Sequence, residues 1–252
     1  MKTRAPLPHS RGFTLIEVLV ALVAMALMAG LGWRGLDGLL RAREASQQRV
    51  DHMAVMHTAL AQWQSDLDTA LSVPGEPGLP GLSWDGRVLR VLRRASVPDD
   101  NGADAGLWVV SWTVRPLSPE EAQAIGLSPQ DPPTAWVRTQ APASTNRQHL
   151  QAHWAAAAPG GRDTRLVSGS APAPALGPTA TAVLFPAQQW QLFYFRGDAW
   201  SNPLSSSGAV GAGQDASLPD GVRLLLTLPE GTSPGGTITL DWVRPAFSVT
   251  RS

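Results

Sequence analysis

The feature that most constrains this chain is an apolar run near its start that holds one acid. Phe13 to Trp33 is a stretch of 21 residues in which Glu17 is the only charged side chain. As a helix at ~1.5 Å per residue it reaches about 30 Å, enough to span the hydrocarbon core of a bilayer. Ahead of it, Met1 to Gly12 form a polar leader with Lys2, Arg4 and Arg11 and no acid. Basic residues on that side predict a cytoplasmic leader and an extracytoplasmic remainder.

Three readings fit a basic leader followed by an apolar run. One is a secretory signal peptide cut near Ala24 to Gly30, where small residues gather. A second is an uncleaved signal anchor, and a third is a leader cut ahead of the apolar stretch rather than behind it. Glu17 separates them. A carboxylate in an apolar span costs roughly 2.5–3.5 kcal/mol, and such residues are usually functional. The first two readings have no use for it. An assembly in which a neighbour brings a positive charge to the buried carboxylate offsets the cost.

The run Arg11-Gly12-Phe13-Thr14-Leu15-Ile16-Glu17-Val18-Leu19-Val20-Ala21 resembles the N-terminal signature of type IV pilins and type II secretion pseudopilins. The resemblance implies cleavage between Gly12 and Phe13 by a membrane prepilin peptidase, and then N-methylation of Phe13. It also implies that Glu17 pairs with the N-terminal amine of an adjacent subunit. The physics agrees with that pairing, since a new ammonium at the positive end of a helix needs an anionic partner.

The helical pattern continues past the membrane. Leu36, Leu39, Leu40, Val50, Met53, Ala54, Leu60, Trp63, Leu67 and Leu71 fall mostly at three- and four-residue steps, with Arg41, Gln48, Asp51 and Gln62 between them. This stripe predicts one helix from about Phe13 to Leu71. It stops at Pro74 to Gly81, where prolines and glycines recur. Beyond that break the period becomes two. Strands are expected at Arg87 to Arg93, Leu107 to Arg115, Trp136 to Thr139 and Gln189 to Phe195, with a tight turn at Gly197-Asp198 into Ala199-Trp200. Val222 to Leu228 and Thr237 to Val243 read as a final hairpin. Short helices are expected at Pro119 to Ile125, with Ser118 and Glu121 at capping-box spacing, and at Asn146 to Ala158 after Thr145. Ser168 to Thr181 and Ser205 to Ser217 read as loops rich in Ala, Pro, Gly and Ser.

The expected class is therefore α+β, a pilin-like fold in which a long N-terminal helix packs on antiparallel sheet. The expected segments are 1–12 as cleaved leader, 13–33 as membrane half-helix, 34–72 as amphipathic half-helix and 82–252 as a β-rich head outside the membrane. Gly and Pro number 24 and 22, which suits a loop-rich β domain. The ten Trp against one Tyr suggest no function.

Several downstream stretches are similar to the minor pseudopilin J of type II secretion systems. They are Trp33 to Arg43, Leu60 to Leu67 with Asp66, Trp190 to Phe195 with Trp200, Leu218 to Leu224 and Asp241 to Pro245; the segment from Ser118 to Pro186 matches loosely. Type IV pilins usually carry a C-terminal disulfide loop, whereas this chain has no cysteine, which favours a pseudopilin. The resemblance implies a place at the tip of an inner-membrane pseudopilus, with minor pseudopilins of the I, K and H types and the major pseudopilin G as partners. A minor type IV pilin serving pilus assembly, adhesion or DNA uptake is the neighbouring alternative. A signal-anchored periplasmic enzyme or binding protein is the distant one.

Other chemistry finds little support. Lys+Arg and Asp+Glu are both 20, so no overall charge draws nucleic acid, and none is expected as a partner. His149 and His153 have the spacing of a metal clip, but without a further ligand a surface pair is the expectation. His52 and His57 do not align on one helix face. Asp99, Asp100, Asn101 and Asp104 surround Gly102 without the alternating ligands and distal acid of a calcium loop, and a solvated turn is expected. Gly35 to Gly38 and Gly208 to Gly213 lack the ending of a phosphate loop, and no nucleophile elbow is present. No cofactor and no enzymatic activity are expected.

Overall fold

A computed structural model describes residues 13–73, 79–95, 106–127, 133–158, 178–205, 218–230 and 234–245. The expected leader through Gly12 and the acidic turn at Asp99 to Asp104 lie outside them. So does most of the two loops rich in small residues. The chain forms two compact units, Met1–Asp51 and His52–Ser252.

In the first unit the helix α1, Leu15–Asp68, begins. Every described residue from Phe13 to Asp51 is exposed except the half-buried Asp37. Phe13 is 87% exposed and Leu31 68%. Gly30, Gly32, Gly35 and Gly38 would each cost about 1 kcal/mol in a water-exposed helix. For Gly30 and Gly32, inside the apolar run, a hydrocarbon surrounding would leave no water to compete for the backbone groups. Farther along, Arg41 donates to Asp37 at 2.5 Å and Gln47 to Asp51 at 3.0 Å, both one turn apart.

The second unit holds the end of α1 and two antiparallel sheets. The first sheet runs β1 (Leu82–Trp84), β2 (Val88–Arg94), β3 (Leu107–Pro116), β4 (Thr134–Gln140), β5 (Ala180–Pro186) in that order. Two short helices interrupt it, α2 (Pro119–Ala124) and α3 (Arg147–Ala156). The second sheet has the order β7-β6-β8-β9, formed by β6 (Gln189–Arg196), β7 (Ala199–Ser201), β8 (Gly221–Leu228) and β9 (Gly236–Val243). The α+β class and a long N-terminal helix with antiparallel sheets are thus what the chain has.

One core joins all three components. Ala59, Trp63 and Leu67 of α1 meet Val91, Val110, Trp112 and Trp136 of the first sheet and Leu192, Val222, Leu224 and Leu226 of the second. Met56 and Leu60 pack at its margin. The spacing 56, 59, 60, 63, 67 is a helical stripe. The helix expected from the longer stripe is present as α1, and within it Leu36, Leu39, Leu40, Val50 and Met53 are 46–67% exposed. Burial of the helix in the core starts only at its last three turns. Seven of the ten tryptophans also find their explanation in this core. Trp84 meets Trp190 edge-to-face at 4.7 Å and Trp112 lies 4.5 Å from Trp136, both measured between ring centroids. Large flat rings fill the space between helix and sheets.

β3 is buried on both faces. Val110 and Trp112 face the main core, while Val109 joins Leu92, Leu150 and Trp154 in a second cluster under α3. Gly81, at φ +79°, lets the chain leaving α1 approach β1, since an added Cβ there would lie 2.5 Å from the Leu71 carbonyl oxygen. Gly197 and Asp198 both have positive φ and make the expected tight turn between β6 and β7.

Two strands went unforeseen. β1 has only three residues, and β5 takes up Ala180 and Thr181, whose composition reads as loop. The helix caps divide. Ser118 and Glu121 form the reciprocal capping box of α2 as expected. The cap of α3 is Asn146 rather than Thr145: its side-chain oxygen accepts from the backbone N–H groups of Gln148 and His149 at 2.9 and 3.3 Å. The expectation of a surface histidine pair is also corrected. His149 is exposed, but His153 is buried at 6% exposure beside Trp154, on the side of α3 that packs against the sheet.

Candidate functional site

The processing signature is described from Phe13 onward. Thr14 caps α1 and Glu17 sits in its first turn. The Thr14 backbone N–H and its hydroxyl both donate to Glu17 Oε2 at 3.0 Å. In return Thr14 Oγ1 accepts from the Glu17 backbone N–H at 3.3 Å. This is a capping box, in which two orphan donors at a helix start are satisfied reciprocally. It gives Glu17 a role within its own chain that the sequence analysis did not foresee, although the Thr-x-x-Glu spacing carries the signal. Only Oε2 is used. Among the described residues nothing donates to Oε1, which leaves that oxygen open to a further donor.

Phe13 directly precedes the cap and its ring is exposed. A chain starting at Phe13 would place its ammonium beside the helix N-terminus, where the aligned peptide dipoles disfavour positive charge. The Glu17 carboxylate occupies the first turn of the same helix end. The geometry therefore brings Phe13 and Glu17 to one end of α1; Gly12 lies outside the described residues.

At the other end of α1 the structure shows a polar cluster whose role sequence reasoning missed. Asp66 lies on the buried stripe at 0% exposure. Its carboxylate receives donors from three strands. Arg93 of β2 pairs with Oδ1, and Trp112 Nε1 of β3 donates to Oδ2 at 2.9 Å. Arg138 of β4 donates to both oxygens at 2.8 and 2.9 Å, and Gln62 adds a bond from one turn back at 3.0 Å. A buried carboxylate is tolerable when all its lone pairs are taken, and here they are. The arrangement fixes the rotation and height of α1 against the first sheet. It has no nucleophile and no open coordination position. The available signal was an acid on the apolar stripe together with isolated arginines inside strands.

Among the described residues no three His, Asp or Glu side chains gather as a metal site. One helix, α1, is long and apolar enough to cross a membrane.

The family model described as the prokaryotic N-terminal methylation motif matches residues 7–33. No curated protein matches the chain. Among solved structures, the chain is similar to one in the crystal structure of the GspK-GspI-GspJ complex from the enterotoxigenic Escherichia coli type 2 secretion system. The two share 15% identity at a TM-score of 0.45, over 78% of this chain and 99% of that chain. The expected prepilin-type N-terminus is thus borne out as a motif: residues 7–33 match the prokaryotic N-terminal methylation motif, at the head of the one helix among the described residues that is long and apolar enough to cross a membrane.

Proposed function

We propose that the protein is a minor pseudopilin of J type, a structural and non-catalytic subunit of a type II secretion pseudopilus. In this reading the prepilin peptidase cuts between Gly12 and Phe13, Phe13 is N-methylated, and the helix stays in the inner membrane with the head in the periplasm until assembly. Minor pseudopilins of the I, K and H types and the major pseudopilin G are its partners at the filament tip, which primes assembly and supports export of folded proteins.

The observation that carries the proposal is Glu17 in the first turn of an exposed apolar helix, inside the methylation motif. An uncleaved anchor has no need of an acid there. A subunit whose neighbour presents an N-terminal ammonium does, and Oε1 is the oxygen free to receive it. Mass spectrometry of protein purified from its own membranes is expected to find methylated Phe13 as the first residue; an intact Met1 or a terminus near Gly30 would refute processing. The variant Glu17→Ala is expected to be processed normally and to be missing from sheared filaments. Its full incorporation would refute the pairing.

A further inference from the structure

Among the described residues, the second sheet leaves one stretch of backbone unpaired beside a recess. β6 pairs with β8 from Gln189 to Phe195, but on its other side β7 covers only Tyr194 to Arg196. Along Gln189 to Phe193 that side meets no strand among the described residues. Parity identifies the open groups. The two-residue turn at Gly197-Asp198 closes on the pair Arg196 and Ala199, so the Arg196 N–H and C=O face β7. Alternate residues of a strand point their backbone groups to the same side, and Tyr194, Leu192 and Trp190 follow Arg196. Two bonds agree: the Tyr194 carbonyl accepts from Ser201 Oγ at 3.5 Å on the β7 side, and the Phe195 carbonyl accepts from Asp220 N–H at 3.0 Å on the β8 side. The Trp190 and Leu192 backbone groups therefore face the recess.

The recess has a volume of about 490 Å³. Across it from β6 stands the turn between β1 and β2, with Trp84 and Arg87, and Leu204 lies at the end where β7 runs out. Trp84 and Trp190, in edge-to-face contact, supply apolar lining, while Gln191 and Asn202 supply polar lining. Arg87 is the only charged residue in the lining. Its carbonyl accepts from Trp190 Nε1 at 3.3 Å, which ties the turn to β6. Its guanidinium is exposed and has no acid partner among the described residues.

We propose that this recess binds an extended segment of a partner polypeptide as an added strand on β6, with an acidic side chain of that segment set against Arg87. An open sheet edge offers main-chain bonds to any extended chain, and pockets beside the edge supply selection. Here the tryptophan lining accepts one side chain of the added strand, and Arg87, without an acid partner among the described residues, selects an acid. The inference goes beyond the N-terminal function and holds whatever the fate of the residues before Phe13.

The test uses the full-length chain in detergent micelles and a blocked peptide of alternating threonine and valine with one central aspartate. Hydrogen exchange at the Trp190 and Leu192 amides is expected to slow by about tenfold or more on saturation. The same peptide, N-methylated at every amide nitrogen, is expected to give no protection. Arg87→Glu is expected to weaken binding by about tenfold and to shift preference to a peptide with lysine in place of aspartate. Unchanged exchange at both amides, or equal protection by the methylated peptide, overturns the proposal. Indifference to Arg87→Glu overturns the acidic occupant. Protection that rises with protein concentration and no peptide assigns the slot to a second copy of the chain, and that also overturns it.

Discussion

Asp66 holds a charge where no solvent reaches, between a helix and three strands. Such a group is costly to bury and more costly to strip of its partners. Removing one side of a buried ion pair typically costs about 3–5 kcal/mol, because the other side is left uncompensated. Asp66→Ala would leave Arg93 and Arg138 facing a cavity in the core. It is expected to lower the unfolding free energy of the full-length protein, taken from a urea titration read by tryptophan fluorescence, by an amount in that range. Asp66→Asn keeps an acceptor for one donor and is expected to lose less. A midpoint unchanged by the alanine variant would show that the cluster does not hold the helix in place. At the residue scale, Asp66 was visible only as one acid on an apolar stripe. Its partners on the strands lie 27, 46 and 72 positions away, and no local pattern links them.

The short helix α2 shows what local sequence can specify at the scale of an element. Ser118 accepts from the Glu121 backbone N–H at 3.2 Å, and the Glu121 side chain accepts from the Ser118 backbone N–H at 3.0 Å. Tertiary structure adds Arg115, whose guanidinium grips the same carboxylate at 2.6 and 2.8 Å. Arg115 is the first cause, and the Ser118 backbone the second, of a Glu121 pKa held down from 4.5 to about 2. A depressed carboxyl value stabilises the fold above its unfolded pKa and loses that contribution as pH falls. The contribution of Glu121 is therefore whole above about 4.5 and is lost between there and about 2. An NMR titration of the Glu121 side chain is expected to show its inflection near 2, moving up toward the ordinary carboxyl range in Arg115→Ala. An ordinary inflection in the unsubstituted protein would contradict the clamp. The same capping chemistry at Thr14 and Glu17 is written in four adjacent residues. β1 and β5 escaped notice because one is short and the other begins Ala-Thr-Ala, so neighbouring strands rather than propensity make them strands.

For the whole molecule, the division after Asp51 has a physical basis in burial. The described residues before it contribute nothing to the core, whereas Ala59, Trp63, Asp66 and Leu67 lie within it. A chain beginning at His52 is expected to keep the unfolding midpoint of the intact protein. A chain beginning at Leu71 is expected not to fold, since it lacks the helical turns around which both sheets pack. Circular dichroism and thermal melts of the two truncations check this, and a folded second fragment would refute it. The sequence by itself determined the N-terminal device: a membrane-length helix, its start, and the acid in its first turn. Those rest on neighbours within four residues and on the solvent demanded by a continuous apolar run. It also determined the α+β class, because the hydrophobic period changes from 3.6 to 2 after the Pro-Gly break. Only the tertiary structure decided where the helix begins to be buried, why most of the tryptophans are there, what holds Asp66, and which edge of β6 no described strand covers. Each of these depends on pairings between distant strands, and such pairings follow from the summed packing of the core rather than from any local pattern.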